Sequence, residues 1–140
     1  MADDRLEKVT PYICVKGAAE AIDFYTRAFG ARERYRLPWG DDGKLGHAEI
    51  TIGETIIMLS DEFPEGGVLS PLTLGGNSFS LSADVDDVDA AFERAIAAGA
   101  RVERPLKDEP YGRGGWLVDP FGHRWHLLRP NPSFDPKDMQ

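Results

Sequence analysis

Residues 13–32 read ICVKGAAEAIDFYTRAFGAR, and residues 81–101 read LSADVDDVDAAFERAIAAGAR. Each stretch is a short strand, then a helix, then the same Gly-Ala-Arg exit. A glycine just past a helix end takes the left-handed conformation that closes the last turn. In the first helix Ala18, Ala21, Ile22, Tyr25 and Phe29 share one face at helical spacing. In the second, Val88, Ala91, Phe92, Ala95 and Ile96 do the same. Asp86 is the predicted N-cap, with Asp87 and Asp89 in the first turn, where negative charge suits the helix dipole. The chain therefore repeats one unit, and its fold follows from what flanks the two copies.

Three short strands are predicted after each helix, at about 32–39, 45–52 and 54–60, then at about 101–105, 114–118 and 123–128. HAEITI-GE-TIIML, residues 47–59, reads as a hairpin with a tight turn at its glycine. Asp119-Pro120-Phe121-Gly122 places Asp, Pro and Gly where a type I turn wants them. His123 then reads as a turn residue tolerant of left-handed backbone. The pattern predicts an α+β fold: two tandem βαβββ modules forming a curved mixed sheet with helices on its outer face. One domain spans 1–140, with module one at about 9–60 and module two at about 78–128. Between them 61–77 is a Gly- and Pro-rich linker. The tail 129–140, RPNPSFDPKDMQ, carries three prolines and reads as mobile or laid across a partner subunit.

The 140 residues are 41% hydrophobic and 29% charged, enough apolar material for a core without disulfides. A net charge of −8 repels phosphate backbones and anionic lipid, so no nucleic-acid or membrane partner is expected. Cys14 is the single cysteine and cannot build a disulfide or a cysteine zinc cluster within the chain. MADDRLEKVT is charged and lacks an apolar run, which predicts no signal peptide and a cytoplasmic protein.

Strand alternation sorts the side chains by face. Ile13, Val15, Ala48, Ile50, Ile52, Ile57, Leu59, Phe79, Leu81, Ala83, Trp125 and Leu127 are assigned to the helix side. Thr10, Tyr12 and Cys14, His47, Glu49 and Thr51, Met58 and Ser60, Ser80, Ser82 and Asp84, and Arg124, His126 and Leu128 go opposite. That second face is either solvated or, if it curls, a concave pocket with a few placed polar groups. Tyr, Met and Cys among the polar residues favour the pocket. The predicted ligand-binding set is Thr10, Tyr12, His47, Glu49, Met58, Ser80, Ser82 and His126. Cys14 reads as a small apolar filler, and Trp39 as a lid or an interface anchor.

In this order, VTPYICVKGAAEAIDFYTRAFGA, GHAEITIGETIIMLSDEFPE, SPLTLGG, DVDDVDAAFERAIAAGARVERP and YGRGGWLVDPFGHRWHLL resemble the vicinal oxygen chelate superfamily of glyoxalases, bleomycin-resistance proteins and dioxygenases, in its PhnB-like branch. The resemblance covers residues 9–128. It implies a homodimer binding a small molecule. Its metal-dependent members hold a divalent ion at four positions, which fall here on Thr10, Met58, Ser80 and His126. Only His126 is a good ligand, since hydroxyls bind metals poorly and a thioether suits soft ions. The standard four-ligand site is therefore not expected, and no cofactor is expected with it. The resemblance also implies that members without the ligands sequester antibiotics between two subunits.

Two other readings stay open for His47 and Glu49, which lie at i and i+2 on one strand face. With His126 they could hold a divalent metal, or with Tyr12 they could act as acid and base in an isomerase, lyase or dioxygenase type of enzyme. The simpler reading is a plain Glu–His hydrogen bond lining the pocket.

Overall fold

The computed structural model describes residues 2–139; Met1 and Gln140, the outermost residues of the predicted domain and tail, lie outside the described residues. Module one runs β1 (Tyr12–Cys14), α1 (Ala18–Phe29), β2 (Arg32–Pro38), β3 (Leu45–Ile52) and β4 (Thr55–Ser60). A connector carrying a 3-10 turn, Pro64–Gly66, and a short helix, α2 (Pro71–Leu74), leads to module two. That module is β5 (Leu81–Asp84), α3 (Val88–Ala98), β6 (Arg101–Glu109), β7 (Gly112–Val118) and β8 (Arg124–Pro130). The predicted βαβββ plan is therefore present twice.

Within one chain the strands form two four-stranded mixed sheets, ordered β1-β4-β3-β2 and β5-β8-β7-β6. In each, the first strand pairs parallel with the last and the other pairings are antiparallel. Gly30 and Gly99 end the two helices with positive φ, as the repeated Gly-Ala-Arg predicts. The 119–122 turn closes with the Gly122 N–H on the Asp119 carbonyl.

The apolar faces of both sheets turn onto α1 and α3. Ile13, Ala48, Ile50, Leu59, Trp125 and Leu127 are buried there with Phe24, Tyr25 and Phe92. Tyr25 and Phe29 of α1 pack on Trp125 of β8, at 5.6 and 4.5 Å between ring centres, so the core is continuous across the modules. The helices also close each other's ends. Arg94 donates to the Arg27 carbonyl at 2.6 Å, and Arg27 reaches the Ala98 carbonyl at 3.5 Å. C-terminal carbonyls that lack helical partners are satisfied this way.

Several details differ from the sequence expectation. Asp87, not Asp86, caps α3, accepting from the Ala90 N–H. Ile96 is 40% exposed, and the buried face of α3 is carried by Val88, Phe92 and Ala95. Phe79 lies before β5 and is 48% exposed. His123 has no left-handed backbone; it is buried, and its Nε2 bonds the Cys14 carbonyl at 2.7 Å, tying module two to module one. β8 continues to Pro130, past the predicted module end at 128. Beyond it the Asn131 N–H bonds the Tyr111 carbonyl and Phe134 packs edge-on against Tyr111. Among the described residues no helix is long and apolar enough to cross a membrane.

Candidate functional site

Burying Ala48 and Ile50 on the helix side forces His47 and Glu49 to the opposite face of β3. Register then lines up Tyr12, Met58, Glu49 and Tyr35 across the four strands. The Tyr12 hydroxyl meets His47 Nδ1 at 2.6 Å, and His47 Nε2 meets Glu49 Oε2 at 3.2 Å. Glu49 is acceptor-only when ionised, so the Nε2–H donates to it and Nδ1 is left to accept from the Tyr12 hydroxyl. The Tyr35 hydroxyl donates to Glu49 Oε2 at 2.8 Å, and Arg34 Nε to Oε1 at 3.2 Å. Adjacent residues on a strand normally point apart. A register shift between Glu33 and Tyr35 lets Arg34 and Tyr35 reach one carboxylate.

These contacts set the electrostatics. The Tyr35 hydroxyl first, then His47, holds the Glu49 carboxyl below its ordinary value. Burial, then the Glu49 charge, raises the Tyr12 phenol, so Tyr12 is a hydrogen-bond donor rather than a ready phenolate.

The second sheet carries a different face. Ser82 Oγ meets His126 Nδ1 at 3.1 Å. The imidazole stacks on Trp116, 4.6 Å between centres and 18° between planes. Arg124 lies 4.7 Å from the centre of the same indole and is paired with Glu103 at 2.6 Å. Burial pushes the His126 imidazole below its ordinary value, opposed by the Asp84 charge.

Tyr12, His47 and Glu49 are therefore brought together, with Met58 beside them, and Ser82 and His126 form a second pair. Thr10 and Ser80 lie just before β1 and β5 and are half-buried. The trio His47, Glu49 and His126 is not assembled within one chain, because its members sit on separate sheets turned away from a shared helix layer. Among the described residues no three His, Cys, Asp or Glu side chains gather as metal donors. The superfamily positions do not fit a divalent ion either. Their donors are two hydroxyls, a thioether and one imidazole engaged with Ser82 and Trp116.

Beside the first face lies a cavity of ≈ 500 Å³. Tyr12, Cys14, Ser60 and Asp61 line it from the sheet side, and Trp39, Phe63 and Val68 enclose it from loops. Trp39 and Phe63 meet edge to face at 4.7 Å. Burial, then the Glu62 and Asp61 charges, pushes the Cys14 thiol up to about 11. The sequence flagged Trp39 but missed Phe63 and Val68, which lie in the unpatterned connector. It also missed Arg34 and Tyr35. Every residue of β2 is exposed, so no alternation marks its faces.

The glyoxalase/bleomycin resistance protein/dioxygenase superfamily model matches residues 5–127. Rv0887c of Mycobacterium tuberculosis is 45% identical over 136 residues, 94% of this chain and 79% of that protein. Among solved structures, PA1353 from Pseudomonas aeruginosa has a TM-score of 0.72 at 26% identity, covering 89% of this chain and 98% of its own. The PhnB protein from Bacillus cereus has a TM-score of 0.68 at 24% identity, covering 88% and 99%. With the doubled βαβββ fold, the family match over residues 5–127 shows that the chain belongs to the glyoxalase/bleomycin resistance protein/dioxygenase superfamily.

Proposed function

We propose that this protein is a PhnB-like cytoplasmic homodimer that binds a small organic molecule, without the superfamily's standard metal site. The site is completed when the first-sheet face of one copy meets the second-sheet face of another. One observation carries this reading. The side chains on both faces are held in place by contacts with one another, yet Tyr12 is 52% and Tyr35 41% exposed in the single chain. Ordered aromatics left half open fit a face that a ligand and a second copy cover. The single cysteine, with no disulfide partner in its own chain, fits a reducing compartment.

The test is complementation. A ligand is first found by thermal shift on the wild-type protein, whose mass is checked by light scattering. His47→Ala and Trp116→Ala chains should each lose binding as homodimers. Unfolded and refolded together, they should regain binding in the mixed dimer, which contains one site free of both substitutions. No regain on mixing would place both residues in one chain's site and sink the shared-site reading.

A second reading is favoured by the Tyr12–His47–Glu49 chain of hydrogen bonds. Glu49 fixes the tautomer that leaves Nδ1 as a base against the Tyr12 proton, an arrangement suited to moving a proton at a bound carbonyl compound. Solvent deuterium entering dihydroxyacetone faster than in buffer, and lost in His47→Asn, would favour this enzyme over a binding protein.

A further inference from the structure

The cavity under Trp39 and Phe63 differs in chemistry from the face beside it. Of its described lining residues only Asp61 carries a charge. That carboxylate is already spent. Oδ1 accepts from the Gly17 and Ala18 N–H groups at 2.8 and 3.0 Å, and Oδ2 from the Leu45 N–H at 2.7 Å. Asp61 is also 6% exposed, so it offers little to an incoming cation. An anion would meet the fields of Asp61 and Glu62, the same charges that raise the Cys14 thiol. What remains is apolar surface: the indole, the Phe63 ring, Val68 and the flank of Tyr12. Aromatic edges and faces of this kind take another ring well.

Tyr12 lines the cavity and also carries the hydroxyl bonded to His47. It is the seam between a largely apolar chamber and the polar face. Gly46 also lines the chamber beside the indole, where a Cβ would sit 3.3 Å from Trp39 Cβ, a tight contact that leaves little room for a larger residue.

We propose that this chamber is an apolar subsite for an uncharged aromatic group of the ligand, with Tyr12 directing the ligand's hydrogen-bonding end to His47 and Glu49. The proposal rests on the small-molecule reading above and names the class of molecule: a neutral aromatic ring carrying one polar group. The cationic ligand that an acidic chain would attract is not what the chamber fits.

Three probes with one ring system test it on the full chain: 2-naphthol, 2-naphthoate and protonated 2-naphthylmethylamine, read by thermal shift and tryptophan quenching. 2-Naphthol should bind at least about tenfold more tightly than either charged analogue. Trp39→Ala should weaken it by about tenfold or more, while Trp39→Phe keeps the affinity and loses most of the quenching. Val68→Trp, at a position 37% exposed and so tolerant of bulk, should fill the chamber and abolish binding while the melting temperature holds. Naphthol affinity untouched by Trp39→Ala and Val68→Trp overturns the proposal. So does tighter binding of a charged analogue. If that analogue depends on His47, the chamber falls and the binding reading stands. No binding of any probe also removes the chamber, and the complementation test then decides the wider reading alone.

Discussion

Val15 and Val85 hold the same place in the two modules: each donates its N–H to the last strand's carbonyl, Val15 to Ser60 and Val85 to Leu128. That register makes Gly17 equivalent to Asp87, Tyr12 to Ser82, Met58 to His126 and Glu49 to Trp116. The backbone repeats and the chemistry does not. Module two caps its helix locally, with Asp87. Module one has glycine there at φ 108, a conformation that would strain an aspartate, and borrows the carboxylate of Asp61 from the end of β4. The polar faces diverge in the same way. His47 corresponds to Gly114, where a Cβ would lie 2.9 Å from His126 Nε2 and 2.8 Å from the Leu127 carbonyl. A small residue there gives His126 its room against Trp116. One half of the repeat is thus a hydrogen-bonded net and the other a stack.

The largest effect is expected where the halves are joined. Asp119 is buried and accepts from the Tyr25 hydroxyl at 2.5 Å, Trp125 Nε1 at 2.9 Å, and the N–H groups of Phe121 and His123. Asp119→Ala strands two buried side-chain donors and loosens the turn, a loss of roughly 4 kcal/mol. Urea unfolding should show it as a lower midpoint at unchanged slope. A loss under about 1 kcal/mol would mean Tyr25 and Trp125 find other acceptors, and that the modules are not joined here.

Asp61→Ala breaks module one's counterpart and should cost less, about 2 kcal/mol. Its three donors are backbone N–H groups, and half-exposed Gly17 can turn to water. Asp61→Asn keeps one acceptor oxygen and should fall between. Equal losses for Asp61→Ala and Asp119→Ala would remove the distinction between a cap within one module and an inter-module joint.

What the sequence disclosed divides along these lines. Alternation in β3, β4 and β8 is clean because one face is buried, so the positions of His47, Glu49, Met58 and His126 were readable. The Tyr12–His47–Glu49 grouping was readable as a shared face but not as a bonded chain, because a pattern carries no distances. Arg34 and Tyr35 were invisible, since the shift that brings both to Glu49 leaves no mark in an all-exposed strand. Asp61 read only as the first residue of the linker, and Asp119 as a turn residue. Their partners come from other elements, 43 and 44 residues away at α1 for Asp61 and 94 residues away at Tyr25 for Asp119. Long-range satisfaction of a buried carboxylate is a property of the packed chain. The separation of His126 from His47 followed from which sheets turn inward, which no strand pattern encodes.

The smallest effects are the two titrations, and they separate the faces most cleanly. His126 is held below its ordinary 6.5 by burial against Trp116 and β5. Its folded state therefore prefers the neutral ring. The stability this gives is fully present above pH 6.5 and is lost as pH falls through the folded pKa. Glu49 is held below 4.5 by the Tyr35 and His47 hydrogen bonds, so its contribution is present above 4.5 and lost at more acid pH. Proton NMR of the His126 ring should give a midpoint below 6.5 that rises toward 6.5 in Trp116→Ala, where the imidazole is opened to water. Carbon NMR of the Glu49 carboxyl should give a midpoint below 4.5 that rises in Tyr35→Phe, which deletes one donor to the carboxylate. If Trp116→Ala leaves the His126 midpoint where it was, burial by the stack is not what holds it down. If Tyr35→Phe leaves Glu49 unmoved, the net on the first face is looser than its distances indicate. Should each substitution instead move the other face's midpoint, the two faces meet across one shared site.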